Sequence, residues 1–200
     1  MFELPLLSDD LVRLTPLLES HAPDLELAAA DGHLGDLWYT STPGPGQAAA
    51  YIEEAQRHAQ QGLRYAYCVH DARNDRLVGT TSYYDLALDI PRVAIGYTWY
   101  AGTVQRTHFN SACKRLLLDH AFGVLSCATV EFHTDFHNRQ SRQALERLGA
   151  RQDGILRSHQ LRPDGTLRDT VCFSILASEW PDVRRSLDLR ISRLLRAADQ

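Results

Sequence analysis

The sequence predicts an α+β protein of three-layer α/β type, with a mixed, mostly antiparallel central sheet of about seven strands flanked by helices. Three observations carry that expectation. Stretches with period-two alternation of apolar residues interleave with stretches of helical period, in the order β-α-α-β-β-β-α-β-α-β-β-α. Two pairs of strand-like stretches are joined by turn-forming residues, at 71–75 and 163–166, and so read as antiparallel hairpins. One strand–helix–strand unit, 93–134, needs a right-handed crossover if its strands are parallel. Hairpins and a crossover in one sheet make it mixed and place helices on both faces.

Leu11-Val12-Arg13-Leu14-Thr15-Pro16-Leu17 alternates apolar and polar residues and stops at a proline, which suits a strand with one buried face. A helix over 21–30 ends at Asp31-Gly32. Trp38 and Tyr39 stand just before a Pro/Gly-rich stretch, and a helix over 47–61 then closes at Gly62. Residues 65–70 and 77–84 form the first hairpin, and 93–100 is a further strand rich in β-branched and aromatic residues. From 110 to 124, Cys113, Leu116, Leu117, Ala121 and Val124 fall on one helical face. A strand over 127–134 leads to a helix over 138–148, with Asn138 as N-cap and Gly149 as stop. Strands 154–161 and 167–176 flank Pro163-Asp164-Gly165-Thr166. The closing helix, 182–195, carries Arg184, Arg185, Arg190 and Arg193, with Arg196 just beyond it. Such a run reads by default as a solvated face, with an oligomer contact such as a homodimer, or an acidic partner, ribosomal RNA included, as the other readings. We expect one domain over 1–180 and an arginine-rich helix or tail over 181–200.

The 200 residues are 44% hydrophobic and 23% charged, with a net charge of −4. Those fractions exclude a disordered or fibrous chain, and the acidic balance argues against a nucleic-acid partner. The four cysteines, Cys68, Cys113, Cys127 and Cys172, form no C-x-x-C pair, so neither a zinc site nor a redox dithiol is expected. Residues 1–5 lack a basic n-region followed by an apolar h-region, and no run approaches the roughly 18 apolar residues that span a bilayer. The expectation is a cytoplasmic protein without a membrane partner.

Chemistry concentrates where strand 93–100 passes through a polar loop, Val104-Gln105-Arg106-Thr107-His108-Phe109-Asn110, into a helix. Free N–H groups at a helix N-terminus attract phosphate, and Arg106 adds charge. An ordinary strand-to-helix connection has the same features. Downstream, Ser141, Leu145 and Leu148 are spaced i, i+4, i+7, which sets a hydroxyl in line with the buried stripe. The plain structural alternative is that Asn138 caps that helix and Ser141 satisfies a local amide. Along 127–134, Thr129, Glu131 and His133 share one face. Glu131 is the best-placed carboxylate there for a general base, and a cross-strand ion pair explains it as well.

The order of elements, the 104–110 loop, and Asn138-Arg139-Gln140-Ser141 followed by Leu145-Glu146-Arg147-Leu148-Gly149-Ala150 resemble the GCN5-related N-acetyltransferases (GNAT). The RimJ/RimL-type ribosomal-protein-alanine acetyltransferases look most similar, over about 11–180. The resemblance implies a GNAT-like acyl-CoA acyltransferase fold. It also implies acetyl-CoA as co-substrate without a metal, and direct acetyl transfer to a primary amine of a small molecule or a protein N-terminus.

In that family a Gln/Arg-x-x-Gly-x-Gly/Ala loop offers its amides to the cofactor pyrophosphate. Here Gln105, Arg106, Thr107, His108, Phe109 and Asn110 occupy the loop, with His108 and Asn110 at the glycine positions. Asn and His are among the non-glycine residues that visit positive φ most readily. The resemblance further implies that Asn138 bonds the pantetheine arm and that Ser141 protonates the departing thiolate. Backbone at Thr98 to Tyr100 would polarise the acyl carbonyl, with Trp99 or Tyr97 as a wall of the acetyl pocket or simply as core. Trp38, Tyr39, Tyr83 and Tyr97 are the candidates for the acceptor side, and Tyr84 competes with Tyr83 because adjacent strand residues point to opposite faces. Two other readings stay open, a larger acyl donor such as succinyl-CoA and a non-catalytic acyl-CoA-binding module.

Overall fold

The computed structural model describes residues 3–32, 40, 42–87, 89–162 and 164–198. Among them, eight strands form one sheet: β1 (Leu7–Ser8), β2 (Val12–Pro16), β3 (Arg64–Asp71), β4 (Leu77–Ala87), β5 (Arg92–Tyr100), β6 (Thr129–Asp135), β7 (Arg151–Leu161) and β8 (Leu167–Leu176). Their order is β1-β2-β3-β4-β5-β6-β8-β7. Only β5 and β6 run parallel, joined by the helical crossover; every other neighbouring pair is antiparallel. Five α-helices accompany the sheet: α1 (Ala22–Ala30), α2 (Ala48–Gln60), α3 (Phe109–Gly123), α4 (Arg139–Leu148) and α5 (Trp180–Ala198).

Side-chain alternation shows that α2 and α3 cover opposite faces. Tyr51 of α2 meets the Thr80 hydroxyl of β4 at 3.0 Å, whereas Tyr83 of β4 donates to the Leu117 carbonyl of α3 at 2.5 Å. Residues 80 and 83 differ by an odd number, so they lie on different faces of the strand. Between those two layers β3 is buried along nearly its whole length, with Tyr67, Cys68 and Val69 fully enclosed. A strand covered on both sides reads as a continuous rather than an alternating apolar run.

Two departures from the sequence expectation are local. The eighth strand, β1, pairs through only Leu7↔Leu14 and Ser8↔Arg13, too short for any period to show. Strand β7 begins at Arg151 rather than 154, because Gly154 lies within it at a register shift and pairs with Cys172. The arginine-bearing α5 packs against α3 through buried Leu187 and Ile191, one turn apart. Burial of two such side chains contributes on the order of 1.5–3 kcal/mol each. Around them Arg115 of α3 donates to Asp188 (3.0 Å) and Asp9 (2.5 Å), and Arg184 donates to Asp119 (2.7 Å).

Candidate active site

The parallel pairing of β5 with β6 stops early. Arg92↔Thr129, Val93↔Val130 and Ala94↔Glu131 are in register, and beyond Ala94 the strands separate. A bulge helps: on β4, Thr80 pairs with Trp99 while Ser82 pairs with Gly96, so Tyr97 and Thr98 are accommodated by one opposing residue. Tyr97 sits there at φ 49°. The diverging strands open a cleft of about 1960 Å³, lined by residues 95–100 of β5 and 132–135 of β6 together with side chains from α2, α3 and α4. Because α2 and α3 lie on opposite faces, the cleft is reached from both sides of the sheet.

On one side stands the N-terminus of α3. Its first helical bond runs from the Ala112 N–H to the His108 carbonyl, and no side chain caps the helix. The amides of Phe109, Asn110 and Ser111 therefore precede the ladder and have no intrahelical acceptor. Gln105 fixes the preceding loop by donating to the Tyr100 carbonyl at 3.0 Å, and Thr107 donates to the Val104 carbonyl at 2.6 Å. His108 has φ −71°, and Asn110 is already helical; the positive φ falls on Arg106, at 63°. The family's glycines at 108 and 110 thus correspond to positions of ordinary φ in this chain. The side chains of His108 and Phe109 stack on each other at 4.4 Å and are buried, and neither lines the cleft. Burial lowers the His108 pKa, as does Arg73, against Asp71 and Asp9.

Helix α4 completes this side. Asn138 accepts from the Ser141 amide at 2.9 Å and so caps α4, while Gly149 closes the helix at φ 98°. Asn138 and Ser141 both line the cleft. Gln140 reaches the Gln105 side chain at 3.5 Å, joining the start of α4 to the loop before α3. Trp99 and Tyr100 line the cleft on β5, and the Trp99 indole N–H is buried with no hydrogen-bond partner among the described residues. An uncapped helix start and a loop arginine, with Asn138 and Ser141 further along the cleft, suit an elongated ligand with phosphate at one end and polar groups along its length.

The α2 side is aromatic and mixed in charge. Tyr51, Glu54, Arg64, Tyr84, Asp85 and Tyr97 line it. The Tyr97 phenol is held above its ordinary value by burial, with Arg64 opposing and Asp85 and Glu54 adding to the rise. Tyr84 stacks edge-on against Tyr97 at 5.4 Å and faces His133 at 6.0 Å. Its neighbour Tyr83 is fully buried toward α3, beside His120, and does not line the cleft. Glu131 accepts from Arg92 at 3.2 Å and lies 3.5 Å from the His133 ring. Burial lowers the His133 pKa, despite Glu131 and Asp85. Trp38 and Tyr39 lie outside the described residues.

Two functional-looking residues escaped the sequence reading. Lys114 is buried in α3, donates from Nζ to Thr98 Oγ1 at 3.0 Å, and lies 6.0 Å from the Phe132 ring. It spans the gap between β5 and β6. Burial pulls its pKa down to about 8. Its signal was present: a lone lysine sits three and four residues before buried Leu117 and Leu118 on an apolar face. Arg64 gave less warning, standing one residue before the expected start of its strand. Far from the cleft, donor atoms of His21, Cys68 and His70 lie within 4.8 Å of one another. His70 is already bonded to Thr15 (3.1 Å) and the Asp75 carbonyl (3.3 Å), which makes the group a structural cluster.

Residues 12–151 match the family model described as an acetyltransferase (GNAT) domain. No curated protein matches the chain with comparable significance. Among solved structures, a T. thermophilus protein assigned as an acetyltransferase is 29% identical with a TM-score of 0.83, covering 96% of this chain and 100% of that one. A GCN5-related N-acetyltransferase from Brucella melitensis is 25% identical with a TM-score of 0.81, covering 94% and 85%. Mycobacterium smegmatis RimJ, solved in complex with CoA-disulfide, shares the fold at 21% identity and a TM-score of 0.74, covering 93% and 92%.

Proposed function

The chain belongs to the GNAT acetyltransferase family and is an N-acetyltransferase, and from that premise we propose that it moves the acetyl group of acetyl-CoA directly onto a primary amine, a protein N-terminal amine included. One observation carries this reading. The β5–β6 gap opens toward an uncapped helix N-terminus on one side and toward an aromatic, carboxylate-bearing pocket on the other. A donor and an acceptor entering from opposite faces meet at the bulge, which is what direct transfer requires.

In this reading the pyrophosphate rests on amides between 106 and 110, the Gln105 N–H being held by the Gly102 carbonyl, with Arg106 beside it. Asn138 and Ser141 flank the pantetheine, and backbone at 98–100 polarises the thioester carbonyl, with Trp99 and Tyr100 as walls. The neutral amine attacks the acetyl carbon, the carbon–sulfur bond breaks, Ser141 delivers a proton to the leaving thiolate, and the proton shed by the attacking nitrogen restores the Ser141 hydroxyl through solvent. Glu131, held between Arg92 and His133, takes the ammonium proton directly or through water. Tyr97 lines the acceptor side. No helix among the described residues is long and apolar enough to cross a membrane.

The test is acetyl-CoA turnover against a panel of amines, including N-terminal peptides, with products identified by mass spectrometry. We expect acetylated amine and free CoA in equal amounts, and a fall in kcat for Glu131→Gln that exceeds the fall for Arg92→Gln. Tight CoA binding with no turnover on any amine would replace this reading by the acyl-CoA-binding module.

A further inference from the structure

We propose that Arg64 docks a carboxylate that the acceptor carries close to the amine to be acetylated. The inference rests on the transfer reading above and specifies the acceptor's chemistry. Arg64 is 2% exposed, at the start of β3, and it lines the α2 side of the cleft. Its guanidinium lies 4.0 Å from the Tyr97 ring centre and 4.9 Å from that of Tyr51. Nε donates to Ser82 Oγ at 2.9 Å and Nη2 donates to the Tyr51 hydroxyl at 2.5 Å. The Tyr51 oxygen is itself pinned by Thr80 at 3.0 Å.

All of those partners are neutral. No carboxylate oxygen lies within ion-pair distance of Arg64 among the described residues, and its Nη1 bonds to none of them. Arginine is almost never this deeply buried without an anion, since a charge removed from water needs one. Arg162, whose side chain is 8% exposed, has its anion in Asp135 at 2.8 Å. Two tyrosines and a serine thus hold the planar fork of Arg64 in place and leave one amino group for a ligand. That geometry matches a carboxylate.

This side also carries carboxylates, one of them, Glu131, paired with Arg92 at 3.2 Å. Glu54, Asp85 and Glu131 line the same cleft and suit an ammonium group. A cationic post beside acidic posts fits a zwitterion, either a free amino acid or a chain whose first residue is Asp or Glu. The carboxylate could also enter on the acyl group, as in succinyl-CoA. The acceptor is favoured because Arg64 lies on the α2 face, opposite the helix start proposed for the pyrophosphate.

The experiment compares acceptor pairs that differ only in the carboxylate: alanine with alaninamide, and tripeptides beginning with Asp or Glu with those beginning with Asn or Gln. Wild type, Arg64→Lys and Arg64→Gln are each assayed for CoA release, and the ratio of kcat/KM within a pair is read. A ratio within one protein is independent of the fraction folded. Wild type should favour at least one carboxylate partner by about tenfold or more, with the preference lost in Arg64→Gln and partly kept in Arg64→Lys. Isothermal titration with N-acetylalanine and its amide gives the same comparison without turnover, so an absence of transfer counts against the transfer reading alone. Equal ratios and equal binding in wild type and Arg64→Gln overturn the proposal. So does a loss in Arg64→Gln confined to succinyl-CoA as donor, which assigns the carboxylate to the acyl group.

Discussion

Lys114 Nζ donates to Thr98 Oγ1, so one buried ammonium ties α3 to the bulged strand beside the gap. Thr98 in turn meets Thr81 Oγ1 at 2.8 Å and donates to the Gly96 carbonyl at 3.3 Å, and no carboxylate pairs with the amine among the described residues. Burial is the main cause of the shift from 10.5 to about 8. The unfolded chain therefore holds this proton more tightly than the folded one between about pH 8 and 10.5, and stability rises with pH across that window. Lys114→Met should be more stable than wild type at pH 7, by up to about 3 kcal/mol. The difference should shrink as pH rises toward 10. Urea unfolding at several pH values measures it, and a pH-independent difference would show that no charge is buried there.

Asn138 and Ser141 share a hydrogen bond but make separable predictions. Asn138 caps α4 through the Ser141 amide, so Asn138→Ala should lower stability by about 1 kcal/mol. The bond uses only the backbone of Ser141, so Ser141→Ala should leave the melting temperature within a degree or so while slowing single-turnover acetyl transfer by about tenfold or more. Transfer at the wild-type rate in Ser141→Ala would remove the hydroxyl from the mechanism.

Asp135 ends β6 at the cleft and anchors the last hairpin. Arg162 Nε donates to it at 2.8 Å and the His137 amide at 2.9 Å, with Arg168 further off. Burial alone would raise its pKa; the bonds from Arg162 and His137 and the two positive charges bring it below 3.8. A depressed carboxylate stabilises the fold above its unfolded pKa and loses that contribution as pH falls through the folded value. Asp135→Asn should melt a few degrees below wild type at pH 7, and the two curves should converge below pH 4. Parallel curves down to pH 2 would mean that the charge contributes nothing.

Period and turn chemistry made most elements legible, because each depends on side chains a few residues apart. Gly149 ends α4 and Asn138 begins it, as their residue types imply. The gap was not legible from residues alone. It depends on where pairing of β5 with β6 stops, at Ala94↔Glu131, and neither side chain signals that end. Position 83 against 84 was decided by packing: both are tyrosines, and only contact with α3 turns Tyr83 inward. Arg64 and Lys114 resisted for a related reason. Propensity reads a charged residue as surface, while the fold brings hydroxyls from Ser82, Tyr51 and Thr98 to enclose both.

The closeness of β4 to β5 beneath the bulge gives the last prediction. A Cβ on Gly79 would collide with the Trp99 carbonyl oxygen and come within 2.9 Å of Tyr100 Cα, both backbone atoms with nowhere to rotate. Gly79→Ala must therefore push β5 away from β4 at the residues proposed to polarise the thioester. Overpacking of this kind costs about 1–3 kcal/mol. Activity should fall by more than the loss of folded protein explains, because an ångström at the carbonyl matters more to the reaction than to the core. Gly123 at the end of α3 is the control, since an added Cβ there meets nothing within 4 Å. Gly123→Ala should be neutral or more stable by about 0.5–1 kcal/mol. Melting temperatures and single-turnover rates for the two variants separate a strained β4–β5 pair from a general intolerance of alanine.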